Sequence, residues 1–112
     1  MTAEELFYDL SNKYGEDFNW DMLPFSLSNG AFVEELKNEI GKRHPLYHKR
    51  VWAVAKCETN DDVLFVTEDG IYYIFHLTYS KQNLEGFPKF ERFADLYAVK
   101  GFIEQALITG YT

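Results

Sequence analysis

Three β-type runs, VWAVAKC, DVLFV and IYYIFHLTYS, follow one another between Val51 and Ser80, separated only by ETND and, after Thr67, by EDG. Connections this short cannot carry the crossover that a parallel pair requires, so the runs are expected to form a three-stranded antiparallel meander. Pairing Cys57 with Asp62 and Thr67 with Ile71 sets the register and sorts the side chains onto two faces. Val51, Ala53, Ala55, Cys57, Asp62, Leu64, Val66, Tyr72, Ile74 and His76 fall on one face. Trp52, Val54, Lys56, Val63, Phe65, Tyr73, Phe75 and Leu77 fall on the other. Both faces are more apolar than a sheet with one wet side requires, which calls for cover on each.

The flanking segments supply that cover. Thr2 and Glu5 have the spacing of a capping box, and Leu6, Phe7, Leu10 and Tyr14 make an apolar stripe that Gly15 ends. A second helix is expected over residues 30–40, with Phe32, Val33, Leu36 and Ile40 on one side, Ser28 or Asn29 as cap and Gly41 as stop. Residues 16–29 are apolar but irregular and read as a wrapped connection, and either this segment or the 84–93 loop is the candidate cover for the aromatic face. Residues 79–93 read as a loop around Gly86 and Pro88, with KFERF alternating as a fourth, edge strand would. Asp95 caps a last helix carrying Leu96, Val99, Phe102, Ile103, Ala106 and Leu107 and ending near Gly110. The expected fold is α+β: a three- to four-stranded antiparallel meander with two N-terminal helices and one C-terminal helix packed on it.

At 112 residues the chain has the size of one domain. Its 46% hydrophobic and 18% aromatic content excludes a chain that stays disordered for want of apolar surface to bury. Glu4 and Glu5 stand where a secretory leader needs basic residues, and the apolar runs fall short of a membrane span. Cys57 is the only cysteine, which rules out an intrachain disulfide and any multi-cysteine metal site. A cytoplasmic protein without a membrane association is the expectation.

A net charge of -7 opposes general nucleic-acid binding and favours a basic partner. The charge is unevenly spread. Residues 1–41 carry -7, residues 42–56 carry +5 and residues 57–112 carry -5. Lys42, Arg43, His48, Lys49 and Arg50 form the basic island, a candidate site for a phosphate or small anionic ligand, with Tyr47 and Trp52 as stacking faces beside it. The competing reading is a solvated loop that balances the acidic helices.

Cys57, Asp62 and His76 become lateral neighbours in the expected register, at the roughly 5 Å Cβ spacing of cross-strand partners. A thiol nucleophile, an imidazole base and an orienting carboxylate need that proximity, which makes the trio a candidate catalytic site for a small thiol-dependent hydrolase. The structural alternative outweighs it: Asp62 satisfying turn amides, Cys57 filling a small core space and His76 bonding to a neighbour, with no oxyanion-hole motif nearby. His44 and His48 have the spacing of a helical metal pair, but Pro45 between them removes the helix, and no metal site or cofactor is expected.

The stretch from His44 to Ser80, with its HPLY, DDVLF and HLTYS segments, resembles a group of small uncharacterised bacterial proteins. The resemblance implies a bacterial, cytoplasmic protein and brings no catalytic residue or ligand with it. Small acidic α+β bacterial domains include immunity proteins that neutralise toxins, so the leading expectation for function is a protein-binding module of that kind.

Overall fold

The computed structural model describes residues 1–79 and 88–109. Helix α1 spans Ala3–Tyr14 and opens with the anticipated capping box: the Thr2 hydroxyl accepts from Glu5 N–H while the Glu5 carboxylate accepts from Thr2 N–H. Strand β1 (Trp20–Met22), helix α2 (Ala31–Ile40), strands β2 (Val51–Cys57), β3 (Asp62–Thr67), β4 (Tyr72–His76) and β5 (Lys89–Phe93), and helix α3 (Leu96–Thr109) follow. Short 3-10 turns lie at Gly15–Asp17, Phe25–Leu27 and Pro45–His48. Gly41 stops α2 at φ 73°, in the left-handed region that favours glycine. Asp95 caps α3 through Ala98 N–H at 2.9 Å.

The sheet is antiparallel throughout, in the order β1-β2-β3-β4-β5. The meander is therefore confirmed and extended at both edges. KFERF is the edge strand β5, whereas β1 lies inside the stretch expected to be a wrapped connection. Three residues are too few to show an alternating pattern, yet Trp20 is buried and pairs with Cys57. The expected loop around Gly86 and the helix end near Gly110 lie outside the described residues.

Helices cover both faces. Leu6, Phe7 and Leu10 of α1 and Leu96, Val99 and Ile103 of α3 pack with Ala55, Cys57, Leu64 and Ile74. On the other face, Val33 and Leu36 of α2 and Leu46 pack with Val63, Phe65 and Phe75. The Phe65 and Phe75 rings meet edge-on at 6.0 Å. The cover over the aromatic face is thus mainly α2 and the Pro45–His48 turn, to which residues 16–29 add Leu23 and β5 adds Phe90, stacked on Phe75 at 5.0 Å. The amphipathic stripe of α2 has no other apolar layer to bury against.

The expected register holds fully between β3 and β4, where Asp62 opposes His76 and Val66 opposes Tyr72. Between β2 and β3 it holds at Ala55↔Leu64 and Lys56↔Val63, then shifts by one residue at a bulge, giving Ala53↔Phe65 and Val51↔Thr67. An extra residue reverses the facing of everything beyond it. Val51 and Ala53 accordingly join Phe65 rather than Leu64, and Trp52 turns toward the α1 side, where Val66 stays as expected. The edge segment after β1 satisfies the bulge: Leu23 N–H donates to Val54 C=O at 2.9 Å, and Ala53 N–H to Ser28 C=O at 2.8 Å.

One polar tie joins the layers. Glu39 of α2, only 2% exposed, accepts from the Thr78 N–H and hydroxyl, both at 2.8 Å, and from Tyr79 N–H at 3.0 Å. Among the described residues, no helix is long and apolar enough to cross a membrane.

Candidate functional site

Asp62 and His76 do meet. They oppose each other across β3 and β4, and Asp62 Oδ1 is hydrogen-bonded to His76 Nδ1. Asp62 is 2% exposed, while the His76 side chain keeps about a third of its surface in solvent. Cys57 stands beside this pair in the strand order, but its thiol points into the core and is 1% exposed. Its Sγ lies 3.5 Å from the Thr59 hydroxyl, the hydrogen-bond partner it has among the described residues. A nucleophile must reach substrate, and this one is sealed behind Trp20 and the α1 side chains.

Asn60 and Lys56 tie the turn before Asp62. Asn60 Oδ1 accepts Asp62 N–H at 2.9 Å, and Lys56 Nζ donates to the carbonyls of Cys57 and Asn60 at 3.0 and 2.7 Å. Asp62, at the start of β3, orients the imidazole through its Oδ1.

The basic island divides. Lys42 and Arg43 follow the α2 stop and are exposed. His44 turns inward: its Nδ1 accepts Leu46 N–H at 3.1 Å, its ring edge meets Phe75 and Phe90, and burial lowers its pKa. His48 packs edge-on against Tyr47, so the two histidines share no ligand geometry. Among the described residues, no group of three or more His, Cys, Asp or Glu side chains can hold a metal ion. Lys49 pairs with Asp69 at 3.2 Å.

Lys49 and Arg50 reach a cleft of about 320 Å³ whose other walls are Asn29, Val33, Lys37, Val51 and Trp52. Lys37 is its organiser: Nζ donates to the carbonyls of Leu46, Tyr47 and Lys49 at 2.8, 2.6 and 2.6 Å, which fixes the chain from the 3-10 turn into β2. Desolvation lowers the Lys37 pKa. Sequence reasoning singled out Lys49, Arg50 and Trp52 but missed Lys37 and Asn29, which come from α2 and the turn before it.

Trp52 also borders a second, apolar cleft of about 320 Å³, lined by Met22, Leu23, Phe25, Val54, Val66 and Tyr72, with Ala3, Glu4, Ser28 and Ala53 at its margins. Beside it the Phe25–Leu27 turn projects into solvent, Phe25 being 89% and Leu27 50% exposed. A protruding aromatic next to an open apolar cavity is the feature of this surface that burial within the chain does not explain.

In comparisons with known protein families, curated proteins and solved structures, the chain shows no match.

Proposed function

We propose that the chain is a protein-binding module whose docking centre is the Phe25–Leu27 prominence and the apolar cleft beside it. The observation that carries this reading is the 89% exposure of Phe25 at the mouth of a cavity walled by Met22, Leu23, Val54 and Tyr72. Aromatic side chains at such positions dominate interface energies, and a cavity at the low end of the roughly 300–1,000 Å³ of ligand sites accepts one large apolar side chain. The partner is a protein of net positive charge that inserts an apolar anchor. The net charge of -7 steers such a partner, and Glu4 stands on the cleft wall to meet a basic neighbour of the anchor. Asp21, next to cleft residue Met22, raises the pKa of Glu58 through a hydrogen bond, a like-charge contact that an approaching cation relieves. An inhibitor of the immunity type, in a bacterial cytoplasm, is a role that fits these properties.

The rival reading, a thiol hydrolase on Cys57, His76 and Asp62, lacks an accessible sulfur. The docking reading is tested by placing a photoreactive phenylalanine analogue at position 25 and, as control, at Ile108, which is 70% exposed on α3. The expected result is one basic protein crosslinked from position 25 and not from position 108. Identical crosslinks from both positions, or only a second copy of this chain, would overturn it.

A further inference from the structure

The basic cleft on the other side of Trp52 has a chemistry of its own, independent of the docking surface. Its polar wall residues are Asn29, Lys37, Lys49 and Arg50, and among the described residues no carboxylate lines it, in a chain of net charge -7. Lys37 brings a positive charge whose three donors are spent on backbone carbonyls, so it is balanced by dipoles and not by an acid. Asp69 holds Lys49 from outside the cleft. Arg50 and Asn29 have no side-chain partner among the described residues, which leaves the guanidinium fork and an amide open to a ligand. Trp52, Val33 and Val51 make the remaining, apolar part of the wall.

We propose that this cleft is a binding site for a small phosphate-bearing anion, held by Arg50, Lys49 and Asn29 over the fixed charge of Lys37 and against Trp52. The guanidinium suits the planar, two-oxygen edge of a phosphate, and Lys49 adds a point charge. A volume of about 320 Å³ admits a phosphate with a small organic group beside the indole.

The test is an NMR titration of the full chain at low ionic strength with sodium pyrophosphate and, separately, adenosine diphosphate. Saturable shifts confined to the Trp52 indole and to amides of residues 29–33 and 49–52 are expected. Arg50→Gln should weaken binding by roughly tenfold or more, the usual loss for a charge-assisted pair. Asn29→Asp, which places a negative charge in the same wall, should weaken it at least as much. Tighter binding of the diphosphate ester identifies an organic phosphate as the ligand class, and equal binding identifies the free anion. The proposal is overturned by absent shifts, by shifts spread evenly over Lys42, Arg43 and Lys49, or by variants that bind as wild type does.

Discussion

Glu39 reaches from α2 to accept the backbone N–H of Tyr79 at 3.0 Å, joining a helix on one face of the sheet to the chain leaving β4, forty positions further along. Tyr79 has a φ of 55°, rare for a residue with a side chain, and the same carboxylate takes Thr78 N–H at 2.8 Å. Two successive amides thus converge on one buried acid. Replacing it with alanine removes the buried acceptor that these amides share, so Glu39→Ala should lose about 1–3 kcal/mol in urea unfolding. Faster hydrogen exchange at the Thr78 and Tyr79 amides should accompany the loss. Unchanged stability and exchange would show that the tie is dispensable.

Glu35 lies one turn before Glu39 and is hydrogen-bonded to it, which raises its pKa to about 7, with burial and the Glu39 charge adding to the shift. For Glu39, burial acts upward, but the hydrogen bonds from Glu35, Thr78 and Tyr79 outweigh it and hold the pKa below the ordinary value. A group whose pKa rises on folding contributes stability that is intact below its unfolded value of 4.5 and lost as pH climbs through about 7. The melting temperature should therefore fall across neutral pH in the wild type. Glu35→Gln, which keeps a donor toward Glu39 without ionising, should flatten that slope. Thermal melts on either side of neutrality decide it: equal slopes in the two proteins would contradict the assignment.

Cys57 is 1% exposed in the core between the sheet and α1. Its reaction with an aromatic disulfide reagent should be limited by opening of the structure, so that labelling accelerates with denaturant in step with unfolding. Rapid stoichiometric labelling of the native protein would revive the thiol-enzyme reading.

Two phenylalanines separate folding from binding. Phe65 is fully buried at the sheet centre, and Phe65→Ala should cost about 3–5 kcal/mol through lost transfer energy and a residual cavity. Phe25 is nearly free of the fold, and Phe25→Ala should change stability by no more than about 0.5 kcal/mol. Urea midpoints for both variants check the contrast.

Much of the fold was legible because its signals are local. The capping box at Thr2, the stop at Gly41, the cap at Asp95 and the short ETND and EDG turns each act within a few residues. From them follow the helices, the meander and the contact of Asp62 with His76. The bulge near Val54 was not legible, because it depends on Leu23 and Ser28 bonding to β2 from a distant segment. It alone moves Trp52 to where both clefts meet. Of the two caps expected for α2, Ser28 or Asn29, neither serves: Ser28 spends its hydroxyl on Phe25 C=O at 2.7 Å, and Gly30 starts the helix without a side-chain cap. The Lys37 bonds to the Leu46, Tyr47 and Lys49 carbonyls are likewise tertiary, with no spacing to announce them.

The exposed aromatic ridge as docking centre is tested most directly by isothermal titration calorimetry of the partner crosslinked through position 25, against wild type and Phe25→Ala. A central interface aromatic is worth about 2 kcal/mol or more, so the variant should bind roughly thirtyfold more weakly while melting at the wild-type temperature. Equal affinities for the two proteins would contradict the account.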